Sequence, residues 1–211
     1  MLRIRSIKIG RWFPSGDPVA TAVAMLCILR EDLLLELLGI VSDGLPKLDD
    51  YSTGYRRTYF WRNSLRTLEE IKDVLNKLNR ESGFRGALSE EAPEVQEAVR
   101  QAMKALNKAS DAFLRDLRNT VGGHLDMPLI QQALEDMHPR REGLFQVGDI
   151  RGKIRYQFAG EILLAAVVGA IPPEQEEAKL EEVLKRSAEL TPVVAAIDDV
   201  VACYARSRGI R

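Results

Sequence analysis

Only two histidines occur in 211 residues. His124 closes the stretch RDLRNTVGGHLD, Arg115 to Asp126, in which Asn119 directly follows Arg118 and two glycines, Gly122 and Gly123, separate the arginine's turn from the histidine. Histidine titrates near neutral pH and can take the proton of a ribose 2′-hydroxyl, and the fixed cationic fork of arginine can neutralise charge building on a phosphorane. Asn119 can orient either group or hydrogen-bond a phosphate oxygen. If a helix ends near Val121, the glycine pair lets the chain turn back and brings the imidazole toward the last turn, where Arg118 projects. The plain structural alternative makes Arg118 a cation answering the negative end of a helix, and Asn119 and His124 ordinary helix-end residues.

A second cluster is arginine-rich. Arg56, Arg57, Arg62 and Arg66 share one helical stretch with Tyr55, Tyr59, Phe60 and Trp61. As structure, the aromatics are core and the arginines run their stems over them to reach water. As function, arginines hold phosphates while an aromatic stacks a base. Arg62, Arg66 and Arg115 are the candidate phosphate or RNA contacts. The segment 138–156 sets Arg140, Arg141, Arg151, Lys153 and Arg155 against Glu142 and Asp149, which reads as a solvated loop or, alternatively, as a path for RNA.

No metal or cofactor is expected. His124 with Asp126, and Asp136 with His138, match no closed zinc spacing, and SGFRGAL lacks both the glycine spacing and the Lys-Ser/Thr ending of a phosphate loop. Cys27 and Cys203 each lie inside an apolar helical pattern without ligand-like neighbours, which reads as free buried thiols, with a disulfide between them left open.

The elements that must position these residues are helices. Asp17 and Pro18 start a helix that runs to about Leu38, where Gly39 can end it, and its apolar residues lie nearly all round from Val19 to Leu29. A second begins near Asp49 or Asp50 and carries a stripe of Tyr55, Tyr59, Leu65, Leu68, Ile71, Leu75 and Leu78, with Arg62 on or beside it, where it needs a carboxylate, a carbonyl or an anion. A third is capped near Ser89, with Glu90 and Glu91 at its positive end. Its face runs through Val95, Val99, Ala102, Leu106, Ala109, Phe113 and Leu117 to the glycine pair. A short helix within MPLIQQALEDM, a long one over about 154–170 and a last one from Pro173 follow. Pro192 should kink or break that last helix near Leu190. The apolar run 162–171 is core or a dimer face.

These patterns predict an all-α, up-and-down bundle of four to five long helices, in a single domain over 1–211, preceded by a short extended arm over 1–16. A formal charge of −1 argues against coating nucleic acid by bulk electrostatics, while local basic patches stay open. The basic N-terminus has no apolar core of signal-peptide length and the run ILLAAVVGAIPP is too short for a bilayer, so a soluble, cytoplasmic chain with no membrane association is expected.

RNTVGGH resembles the Arg, polar residue, several residues, His motif of the HEPN superfamily, helical-bundle domains many of which are metal-independent endoribonucleases. The motif covers about seven residues, and the helical reading of about 49–206 accompanies it. The resemblance implies Arg118 as phosphate and transition-state stabiliser, His124 as general acid/base and Asn119 as the supporting polar residue. It also implies a homodimer with the pair at a cleft between protomers, and a 2′,3′-cyclic phosphate product. Members that have lost activity serve as binding modules. The alternative expectation is therefore a non-catalytic helical interaction or regulatory module of a defence or mobile-element system, with a protein partner.

Overall fold

Where Asp17 meets Pro18, a helix begins. Asp17 Oδ1 accepts hydrogen bonds from the backbone N–H of Val19 at 2.9 Å and of Ala20 at 3.0 Å, two donors that a first turn leaves open. Pro18 has no N–H to satisfy, so it suits the first helical position. The computed structural model describes residues 7–41, 50–110, 127–135, 137, 159, 162, 190 and 192–209. Of these, 85% are helical and none is in a strand, so over the described residues the chain is all-α.

Among the described residues, the helices with defined bounds are α1 (Ile9–Trp12), α2 (Pro18–Val41), α3 (Asp50–Leu78), α4 (Ser82–Ser89), α5 (Pro93–Ala109), α6 (Met127–Glu135) and α7 (Pro192–Ser207). α1 and α2 differ from expectation, and the sequence pattern does not predict α4. The stretch expected as an extended arm contains α1, one helical turn in which the Trp12 N–H reaches the Lys8 carbonyl at 3.1 Å. α2 does not stop at Gly39 but runs through it: a Cβ at that position would lie 2.3 Å from Cδ2 of Phe60, so the glycine serves close approach of a ring. α7 starts at Pro192, with the Val193 N–H on the Leu190 carbonyl at 3.0 Å, so of the expected kink or break near Leu190 the described residues show a helix boundary at the proline. Of the expected helix over 154–170 only Ala159 and Ile162 are described, both helical, and the expected helix over 173–189 and the continuation of α5 beyond Ser110 toward the glycine pair lie outside the described residues.

The chain divides into two compact units. The first comprises Met1–Asp32, Glu70–Lys108 and Glu189–Arg211. Its buried residues come from all three stretches: Val23 and Leu26 of α2, Ile71 and Leu78 of α3, Val99 and Leu106 of α5, and Val193, Ile197 and Val200 of α7. Phe84 of α4 is buried as well, and α4 packs on α7. The 3.6-residue period explains why these residues share faces, and burial of each contributes roughly 1.5–3 kcal/mol. Polar links tie the same stretches together. Arg30 clasps Asp198 through Nε at 2.6 Å and Nη2 at 3.1 Å, Asn76 Nδ2 donates to Asn107 at 3.0 Å, and Tyr204 Oη donates to the Trp12 carbonyl at 2.5 Å.

The second unit comprises Leu33–Glu69 and Ala109–Ala188. Among its described residues Leu33, Leu65, Leu68, Ala109 and Ala133 are buried and apolar, accompanied by buried polar Ser64, Thr67, Glu69 and Ser110. A buried polar residue needs a partner. Thr67 Oγ1 donates to Glu36 at 3.0 Å, Ser110 Oγ to Glu69 at 2.5 Å, and Ser64 Oγ to the Trp61 carbonyl one turn back at 2.7 Å.

Candidate nucleic-acid interface

Arg115, Arg118, Asn119 and His124 lie outside the described residues, as do the basic segment 138–156 and the pairing candidates Asp126, Asp136 and His138. What the structure describes are the elements that bracket the motif in sequence. α5 gives way to π-type hydrogen bonding at Ser110, where the turn widens, and α6 begins at Met127. At that widened turn Ser110 is anchored on Glu69, a carboxylate only 1% exposed. This pair was not legible beforehand. Its one sequence signal is an acid, Glu69, set directly beside the apolar stripe at Leu68.

Arg62 and Arg66 are described, and both lie on α3 in the second unit. The guanidinium of Arg62 sits over the Tyr59 ring, 5.8 Å from its centroid, close enough for a cation–π contact. Tyr59 in turn meets Phe60 edge-on, with centroids 5.4 Å apart and planes at 77°. Arg62 is half-buried, and its Nη1 is buried without a hydrogen-bond partner. The indole Nε1 of Trp61 is in the same position. Arg66 is exposed and Arg56 is half-buried.

The expectation that the aromatics of this stretch are core holds only in part. Phe60 and Trp61 are half-buried, but Tyr59 is 45% exposed and faces solvent. The reason is geometric: at 3.6 residues per turn Tyr59 lies on the side of α3 opposite Leu68 and Leu75, the side that carries exposed Arg66, whereas Phe60 and Trp61 lie toward the buried stripe. The arginines therefore do not merely run over a buried aromatic. They stand beside an open one.

No family model, curated protein or solved structure matches the chain. Chemically, the described face of α3 can offer cations and an aromatic surface together, which suits a polyanion with flat apolar groups. Both cysteines are free; Cys203 is buried and Cys27 half-buried. Burial pushes the Cys203 thiol up to about 11 and raises that of Cys27, so neither has the thiolate character a nucleophile needs at neutral pH. No described helix is long and apolar enough to cross a membrane.

Proposed function

We propose that the chain is a HEPN-like, metal-independent endoribonuclease, or a degenerate member of that group, acting on RNA phosphodiesters through Arg118 and His124. The observation that carries the reading is the RNTVGGH motif, with its arginine and adjoining amide on one side of a glycine pair and its histidine on the other. The helical content of the described residues is compatible with it, and the arginine-rich face of α3 adds a cationic surface in the same chain. In this mechanism His124 takes the proton from a ribose 2′-hydroxyl. The freed oxygen attacks the adjacent phosphorus, the bond to the 5′-oxygen breaks, and that oxygen leaves with a proton, producing a 2′,3′-cyclic phosphate and a 5′-hydroxyl. Arg118 stabilises the added negative charge on the phosphorane, Asn119 orients, and a homodimer supplies the cleft.

The test is cleavage of end-labelled RNA in EDTA by the native chain, His124→Ala and Arg118→Ala. Cutting that survives EDTA, leaves cyclic phosphate ends and drops by roughly 10²- to 10⁴-fold in each variant supports the assignment. Cutting unaffected by both substitutions defeats it. A second reading, a non-catalytic helical interaction module, is favoured by the exposed apolar side chains Met25, Ile28, Leu35 and Leu38 along α2. A folded native chain that cuts no RNA shifts the assignment to that module.

A further inference from the structure

The stretch RRTYFWRNSLR, Arg56 to Arg66, has four arginines and no carboxylate, although acids slightly outnumber bases in the chain as a whole, 31 to 30. On a helix of 3.6 residues per turn Tyr59, Arg62, Asn63 and Arg66 fall on one face, Arg62 about one turn and Arg66 about two turns beyond the tyrosine. The structure bears the face out: Tyr59 and Arg66 are exposed, and Arg62 and Asn63 are half-buried. Phe60 braces the Tyr59 ring from its edge and Arg62 reaches over it. The ring is thus held in place while 45% of the residue remains open to solvent.

Arg62 is the second observation. No carboxylate pairs with it among the described residues, and one of its nitrogens is buried without a hydrogen-bond acceptor. A partly desolvated guanidinium whose neighbour is an aromatic ring is under-compensated, and an anion at its open side supplies the missing counter-charge. A flat group on Tyr59 and an anion beside Arg62 are what a nucleotide provides. In a duplex the bases are stacked on one another and present no free face, whereas unpaired bases can be splayed onto an aromatic ring.

We infer that this face of α3 is a stacking platform for single-stranded RNA, with Tyr59 taking an unpaired base and Arg62 and Arg66 holding the adjoining phosphates. The inference rests on the RNA reading above and adds the substrate class, unpaired rather than duplex. The full-length chain is titrated in EDTA, by fluorescence anisotropy, against a labelled unstructured RNA oligonucleotide, the same oligonucleotide annealed to its complement, and vesicles containing anionic lipid. Single-stranded RNA binds and the duplex binds more weakly. Tyr59→Ala weakens binding about 5- to 150-fold, the loss expected of one stacked base, and Tyr59→Phe, which keeps the ring, restores it. Arg62→Gln lowers the salt dependence of binding by about 0.7 in the log–log slope, the share of one phosphate contact on a single strand. Lys104→Ala, an exposed lysine of the first unit, controls for loss of charge alone.

Equal affinity for duplex and single strand, unchanged binding in Tyr59→Ala, or binding to the vesicles without binding to RNA overturns the inference. The two assignments fail separately. Tyr59-dependent binding without cleavage removes the nuclease and leaves the platform, and His124-dependent cleavage indifferent to Tyr59→Ala removes the platform and leaves the nuclease.

Discussion

At the scale of single residues, the clearest electrostatic arrangement is the one that fastens the start of α5 to α7. Arg206 donates to Glu91 through Nε and Nη2, both at 2.7 Å, a two-point grip that arginine's planar fork allows and lysine's ammonium does not. Those bonds hold the Glu91 carboxyl below its ordinary range, while the Cys203 thiol beside it is buried and pushed up to about 11 by that burial, with the Glu91 charge adding to it. The two groups give opposite slopes with pH. Glu91 titrates lower in the folded chain than in the unfolded one, so its contribution is present above the unfolded value and lost as pH falls through the folded value. Cys203 titrates higher when folded, so stability is lost as pH rises from about 8.5, where an unfolded thiol ionises, toward 11. The expected outcome is that the melting-temperature gap between the native chain and Glu91→Gln is widest near neutral pH and narrows on acidification below about pH 4. A gap independent of pH between 7 and 3 counts against the ion pair. Cys203 should also react with a thiol reagent at pH 8 only as the protein unfolds, which timed labelling in increasing urea checks.

At the scale of elements, sequence signals acted locally as expected at some helix ends and were overruled at others. Asp17 and Pro18 start α2 because both act within a single turn. Gly39 carries the same kind of local signal for a stop, yet the helix continues, and what demands the glycine is the ring of Phe60 from another helix. Replacing glycine by alanine in an open helix gains about 1 kcal/mol, but overpacking against a ring costs about 1–3 kcal/mol. Gly39→Ala is therefore expected to lower stability in urea by about 1 kcal/mol instead of raising it, and Phe60→Ala made in that background should recover the helical gain. A stabilised single variant would show that the ring yields freely. The pattern of SGFRGALS does not predict α4, because two glycines stand among its only two large apolar residues, Phe84 and Leu88; the helix buries Phe84 and packs on α7.

At the scale of the molecule, the first unit draws its core from three stretches that are far apart in the sequence, so loss at one should be felt at the others. Ile197 of α7 is fully buried, and cutting it to alanine costs about 2–5 kcal/mol through lost burial and the cavity left behind. Ile197→Ala is expected to speed amide hydrogen exchange in α2 up to Asp32 and in α5, as well as in α7. Acceleration confined to α7 would deny that the three stretches form one cooperative unit. Much of this fold was legible beforehand. The stripe of Leu65, Leu68, Ile71, Leu75 and Leu78, the face through Val99, Ala102 and Leu106, and the break at Pro192 all follow from the helical period and from proline's missing N–H, which a short window of sequence contains in full. The candidate site was legible as chemistry, in RNTVGGH and in the arginines of α3, because residue type and spacing are sequence properties. What only the tertiary structure decided is which side of each helix is covered and by what: Tyr59 left open with Arg62 over its ring, Glu69 buried against Ser110, Glu91 gripped by Arg206, and Gly39 kept small for Phe60. The physical reason is that periodicity sorts residues onto faces within one helix, whereas burial, pairing and close approach depend on groups that chain folding brings in from tens of residues away.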